Sequence, residues 1–304
     1  MKKQCNKLFL LLIVGILCFI NPSCNKNPNF HKGEYLFENN DFTPCEKVGD
    51  LIIIWPEDKD VNEQQKVIIR KLVNNMVKVE GGTFMMGAQN NDPQEPQYDA
   101  NAMENESPVH QVTLSNYYIN KYEVTQEEWE TLMGYEMGWQ TIYGKGNNIP
   151  AYNISYNEAQ QFVQLLSKLT RMEFCLPTEA QWEFAARGGK KSQFYHFSGS
   201  NDVNAVAWHK NNTDNILHNV GEKQANELGL YDMSGNLWEW CFDSYYEYPT
   251  EPSSDPWPQW GEPYVLRGGS WTYLPAYCRV TARDSYSGDA QSVSNGFRVA
   301  LKVQ

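Results

Sequence analysis

No run of basic residues longer than two occurs anywhere, and 25 Lys and Arg stand against 37 Asp and Glu for a formal charge of −12. Nucleic acid needs a concentrated basic face, so it is excluded as a partner. No two cysteines have CxxC spacing, and His31, His110, His196, His209 and His218 form no HxxxH or HExxH pattern, which removes zinc ribbons and zincin-type centres. A G-x-S-x-G elbow, a phosphate-cradling glycine loop and a dinucleotide fingerprint are also missing. No apolar run reaches the roughly 20 residues that span a bilayer as a helix. The longest, Leu8 to Ile20, follows Lys2 and Lys3 and has the length of a signal-peptide core.

After that run, Asn21-Pro22-Ser23-Cys24 resembles a bacterial lipoprotein processing site. Cleavage there makes residues 1–23 a signal peptide and Cys24 the lipidated first residue. Acyl chains would then hold an exported protein to the periplasmic or outer-membrane face of the cell envelope. Of the seven cysteines, Cys45, Cys175, Cys241 and Cys278 remain, an even set that an oxidising compartment can pair in three ways.

A length of 304 residues allows one large domain or two ordinary ones. The 10 Trp, 18 Tyr and 21 Gly favour an irregular, turn-rich, aromatic-cored fold. Residues 24–75 read as a tether and N-terminal extension, with a strand at Leu51–Trp55 and a helix over Asp60–Asn75 that stripes Val67, Ile68, Leu72 and Val73. Met76–Gly87 reads as a strand pair around a glycine turn, and the acidic Asn90–Glu106 as a mobile loop. Val109–Leu114 and Tyr117–Tyr122 read as strands. Thr125 with Glu128 is a capping box for a helix through Met133, and Asn157–Arg171 is strongly amphipathic. Thr178 with Gln181 caps a helix through Arg187, on which Glu179, Glu183 and Arg187 form a solvated ion-pair ladder beside core aromatics Trp182 and Phe184. The remainder reads as loops and short strands. Within it, Asp232-Met-Ser-Gly-Asn-Leu-Trp-Glu239 places carboxylates at both ends of a glycine-containing loop, a pattern able to converge oxygens on calcium, or simply a Gly-Asn turn with two solvated acids.

Several ordered segments together resemble the formylglycine-generating enzyme, or sulfatase-modifying factor, family: Val79-Glu-Gly-Gly-Thr-Phe-Met-Met-Gly87, Glu106-Ser-Pro-Val-His-Gln-Val112, Lys121-Tyr-Glu-Val-Thr125, Leu176 to Gly189, Gly229 to Trp240, Arg267-Gly-Gly-Ser-Trp271 and Gly296-Phe-Arg298. The resemblance covers residues 76–304. It implies an α+β, C-type-lectin-like fold with little regular secondary structure. It also implies structural calcium, held by the side chains of Asp232 and Glu239 and the carbonyls of Gly235 and Leu237.

Enzymes of this family oxidise a substrate cysteine to formylglycine with copper(I) between two cysteines. Here Cys278 matches the second of these, Tyr273 stands in place of the first, and Ser270 and Trp238 match residues lining the active site. A phenol does not replace a thiolate on copper(I), so copper is not expected. Together with the processing site at Cys24, the resemblance implies a membrane-anchored, non-catalytic or divergent member that binds a protein, peptide or glycan of the envelope. The aromatics of Tyr245–Tyr264, stiffened by Pro249, Pro252, Pro256 and Pro258, are candidate ligand contacts. The alternative is an active oxidase in which Cys241 supplies the second thiolate; a Cys241–Cys278 disulfide would remove that option.

Overall fold

The computed structural model describes residues 36–38, 41–43, 45–56, 60–256 and 261–303. The signal peptide, Cys24, Trp257, Pro258 and Trp260 lie outside the described residues. Strands β1 (Leu36–Glu38) and β2 (Asp41–Thr43) form one antiparallel hairpin, and β3 (Cys45–Val48) and β4 (Leu51–Ile54) another. Helix α1 (Glu63–Asn74) starts at a reciprocal capping box between Asn62 and Gln65. Its buried stripe is Ile68, Ile69, Leu72 and Val73; Val67, expected on that stripe, is 60% exposed. Ile53, Trp55 and this stripe join the same apolar core as Trp129, Phe162 and Phe297. Among the described residues, the chain from Cys45 onward is therefore part of the packed body, and the extension supplies core.

Strands β5 (Met76–Val79) and β6 (Thr83–Met86) do not pair with each other as the glycine turn suggested. β5 pairs with β8 (Tyr117–Asn120), whereas β6 pairs with β7 (His110–Thr113), in separate sheets. The crossover occurs at Gly81, where a Cβ would lie 2.1 Å from the Leu114 carbonyl oxygen, so the two chain segments run in contact there. The loop expected to be mobile, Asn90–Glu106, is instead pinned from within. Arg279 Nη1 and Nη2 reach Glu106 at 2.8 and 2.5 Å, and Nη1 reaches Asp99 at 3.3 Å, all three residues being buried.

Helices α2 (Gln126–Met133), α3 (Tyr156–Thr170) and α4 (Glu179–Ala186) each begin at a capping box, at Thr125/Glu128, Ser155/Glu158 and Thr178/Gln181. Trp129 of α2 stacks on Phe162 of α3, centroids 5.7 Å apart. After β9 (Phe174–Cys175), α4 and the short α5 (Val203–Val206) come β10 (Trp238–Ser244), β11 (Ser253–Ser254), β12 (Tyr264–Arg267), β13 (Arg283–Tyr286), β14 (Asn295–Gly296) and β15 (Ala300–Lys302). The sheets run β13-β12-β10-β14, β5-β8-β15-β9 and β11-β7-β6. None of the helices among the described residues is long and apolar enough to cross a membrane.

Candidate functional site

Strand β12 ends at the fully buried Arg267, and the chain turns through Gly268 and Gly269 at φ +99° and +73°. A Cβ on Gly269 would lie 2.6 Å from the Tyr277 carbonyl oxygen, so this turn rests directly on the Pro275–Cys278 backbone. Ser270, Thr272 and Ser294 join their hydroxyls at 3.1 and 2.7 Å. The Tyr273 ring stands edge-on to Trp238 at 5.5 Å and to Tyr277 at 5.3 Å. Trp238 is anchored at the start of β10 by its backbone N–H, which donates to the Ser294 carbonyl. The turn thus brings together Ser270, Trp238 and Tyr273, and its underside contacts the backbone of Cys278.

The ionisation states at this turn are unfavourable to a soft metal. Burial pushes the Cys278 thiol up to about 12, and burial, with Asp284 second, raises the Tyr273 phenol. Both groups are neutral at physiological pH in the metal-free protein, so a soft metal would have to displace the Cys278 proton, and the phenol would still offer no sulfur. Cys241 is also fully buried, its thiol raised by burial first and by Glu179 next; it lies in the cluster around Trp182 and Val280. Cys175, Cys241 and Cys278 are free thiols, so no Cys241–Cys278 disulfide forms. Two thiolates facing one ion are what copper(I) requires. The residues here do not fit that ion.

The acidic loop lies alongside the same turn. The Gly235 N–H donates to the Gly268 carbonyl and the Trp271 N–H to that of Asn236, both at 2.8 Å. Gly235, at φ +80°, carries no Cβ that would meet the Trp208 carbonyl oxygen at 2.2 Å. Neither end acid is solvated. Glu239 is fully buried: Arg298 Nε and Nη2 each donate to one of its oxygens at 2.6 Å, and Trp182 Nε1 donates at 2.8 Å. Asp232 Oδ2 accepts the Gly221 N–H at 2.7 Å, whereas its buried Oδ1 has no hydrogen-bond partner. Buried Glu123 joins them, accepting from Asn236 Nδ2 and the Leu237 N–H.

Three carboxylates thus surround the single guanidinium of Arg298. Burial, with Asp232 next, raises Glu123 well above the usual carboxylate range, and burial pushes Asp232 up to about 6. Among the described residues no three His, Cys, Asp or Glu side chains form a metal cluster. Of the side chains carried over for calcium, Asp232 keeps a buried Oδ1 with no partner, and Glu239 has both oxygens held by Arg298, with Oε1 accepting from that guanidinium alone.

The Glu183–Arg187 rung expected on α4 forms at 2.8 Å, but the ladder is not solvated. Glu179 is 4% exposed and Glu183 fully buried, because arginines from the last strands close over the helix. Arg267 reaches Glu183 at 2.5 Å and Glu179 at 3.3 Å, and Arg283 chelates Glu179 at 2.7 and 2.8 Å. Tyr248, one of the candidate ligand aromatics, is buried and donates to Glu179, while Tyr246 is 43% exposed. Glu123 was missed as a site residue, although it sits in the Lys121–Thr125 motif.

This geometry can be set beside known proteins. Residues 61–303 match the family described as the sulfatase-modifying factor enzyme 1-like domain. The chain belongs to the sulfatase-modifying factor family. Its fold is the α+β, C-type-lectin-like fold of formylglycine-generating enzymes. It is similar to the formylglycine-generating enzyme of Thermomonospora curvata, 27% identical over 76% of this chain and 94% of that one. It is also similar to the chaperone protein LppX of Paenibacillus barcinonensis, 28% identical over 62% and 81%. Among solved structures, Treponema denticola variable protein 1 superposes with a TM-score of 0.65 at 26% identity, covering 85% of this chain and 98% of that one. The chain is thus similar both to a protein named a formylglycine-generating enzyme and to one named a chaperone.

Proposed function

We propose that this sulfatase-modifying-factor-like chain does not generate formylglycine and serves as a binding or scaffold module. Exported and lipidated on Cys24, it would be held at the cell envelope and present its lectin-like domain to a protein, peptide or glycan. The observation that carries this reading is Tyr273 at the first copper position, its ring stacked edge-on to Trp238. Its phenol is neutral, and the remaining thiol of Cys278 is buried and protonated.

Calcium would take Asp232 and Glu239 by side chain and Gly235 and Leu237 by carbonyl, its charge offsetting the acids around Arg298. A hard cation there stabilises the loop that is hydrogen-bonded to the Gly268–Trp271 turn, and has no redox part.

Two measurements test the proposal together. A C-x-P-x-R peptide incubated with the protein under air and copper is expected to show no conversion of its cysteine by mass spectrometry. Anaerobic copper(I) titration against a chelator is expected to show no stoichiometric site. Conversion that disappears in Cys278→Ser would overturn the reading and restore the oxidase.

A further inference from the structure

Strand β6 is an outer strand of its sheet, β11-β7-β6. Its ladder to β7 uses Gly82, Phe84 and Met86, since the Leu114 N–H donates to Gly82 and the register pairs Phe84 with Val112. The backbone groups of Thr83 and Met85 therefore point away from β7. Among the described residues no hydrogen bond to them is found. One step further along this edge the situation changes: the Gly87 N–H donates to Glu183, and Arg187 donates to the Gly87 carbonyl. The fold covers the edge at Gly87 and leaves it open at Thr83 and Met85.

Beside the open stretch lies a cavity of about 460 Å³. It is bordered by Thr83, Phe84 and Met85, three consecutive residues of alternating side, so it runs along the strand rather than under one face. Phe84 and Phe184 form its apolar wall, centroids 5.1 Å apart. Phe194 borders it at φ +60°, a backbone region that disfavours bulky side chains, and is 78% exposed. Phe194 thus places an exposed, strained aromatic at the lip of the cavity. The cations on hand for a ligand are Lys190, which lines the cavity 3.9 Å from an exposed Glu80, and its exposed neighbour Lys191; Arg187 is already held by buried Glu183.

We infer that this edge binds an extended peptide by strand addition, with one large apolar side chain seated between Phe84, Phe184 and Phe194 and an acidic residue two positions away meeting Lys190 or Lys191. Main-chain bonds to Thr83 and Met85 provide affinity, and the cavity and the lysines provide selectivity. The inference rests on the binding role proposed above and names its ligand class. It uses none of the residues at the Tyr273 turn, so peptide oxidation and edge binding are scored separately.

The test uses the full chain in detergent and the probe acetyl-Ser-Glu-Val-Phe-Val-Glu-Ser-amide. Saturable binding is expected, with the Met85 amide protected from hydrogen exchange in the complex. Met85→Pro removes an outward N–H that β7 does not use and is expected to abolish binding with the thermal midpoint retained. Should Met85→Pro not fold, the probe N-methylated at its Phe asks the same question from the other side. Phe194→Ala, on an exposed ring, is expected to weaken binding about tenfold. Lys190→Glu is expected to weaken it and to flatten its salt dependence. Unchanged affinity in Met85→Pro and for the methylated probe, or no binding at millimolar probe, would overturn the inference. So would concentration-dependent self-association, lost in Met85→Pro, that the probe does not displace, since the edge would then take a second copy of this chain. Turnover of the C-x-P-x-R peptide alongside intact edge binding would sink only the non-catalytic reading.

Discussion

Arg298 chelates Glu239 through Nε and Nη2, each at 2.6 Å, with both side chains fully out of solvent. The same guanidinium donates to the carbonyls of Asn120, Lys121 and Tyr231, so it joins β8, the acidic loop and β10 at one point. Burying such a pair gains little net stability, but breaking it leaves an uncompensated charge. Arg298→Met is expected to cost about 3–5 kcal/mol in guanidinium unfolding. Adding Glu239→Gln should recover part of that loss. Equal stability of Arg298→Met and the parent would contradict the structural role assigned to the pair.

Calcium is expected to raise the thermal midpoint by filling the open coordination at Asp232. At a hundredfold excess over its dissociation constant the gain is about 2.7 kcal/mol. Asp232→Ala should remove the calcium-dependent part, on top of a calcium-independent cost from leaving the Gly221 N–H without its acceptor. Calorimetry after chelation and back-titration decides it; a midpoint that calcium does not move sinks the calcium proposal.

The helices were legible in sequence because their information is local. Thr125/Glu128 and Thr178/Gln181 announce helix starts within four residues, and both capping boxes form. The buried charge lattice was not legible, since Glu183 meets Arg267 across 84 positions and Glu179 meets Arg283 across 104. Four-residue spacing on α4 is equally consistent with a solvated ladder, and only the return of β12 and β13 decides between them. The same holds for β5 and β6, whose glycine turn imitates a hairpin while long-range pairing takes each strand to a different sheet. At the site, the motifs announced Ser270, Trp238, Tyr273 and Cys278, but the burial that keeps Cys278 protonated came from packing.

Asp243 gives a pH signature. Burial, with Glu179 second, pushes its carboxyl up to about 7, while its Oδ2 accepts the Glu179 N–H at the start of α4. An acid whose folded pKa lies above its unfolded value near 3.8 binds more protons when folded. Its contribution is therefore full below about pH 4 and declines as pH rises to about 7. Asp243→Asn keeps the acceptor and removes the ionisation. The stability of Asp243→Asn relative to the parent should grow between pH 5 and pH 8 in urea titrations; a pH-independent difference would show that Asp243 ionises normally.

Tyr273→Cys is the sharpest test of the proposal that Tyr273 denies the chain a copper site. The turn that carries position 273 is fixed by Gly268, Gly269 and the Ser270–Thr272–Ser294 hydroxyl chain, none of which the substitution touches. Losing the phenol ring removes its edge contacts to Trp238 and Tyr277, a cost of about 3–5 kcal/mol for a large ring taken to a small side chain in a core and less for this half-buried one. What it supplies is a second soft ligand on the turn that rests on the Cys278 backbone. Copper(I) in a competition assay should remain unbound by the parent, bind Tyr273→Cys with one-to-one stoichiometry, and be lost again in Tyr273→Cys/Cys278→Ser. Because a metal-bound thiol is deprotonated outright, metal affinity must also overcome the protonation of Cys278, whose thiol sits near 12, so binding should tighten as pH rises from 6 to 9. Binding by the parent equal to that of Tyr273→Cys would mean that the missing thiolate is supplied from elsewhere and that Tyr273 is not what silences the site.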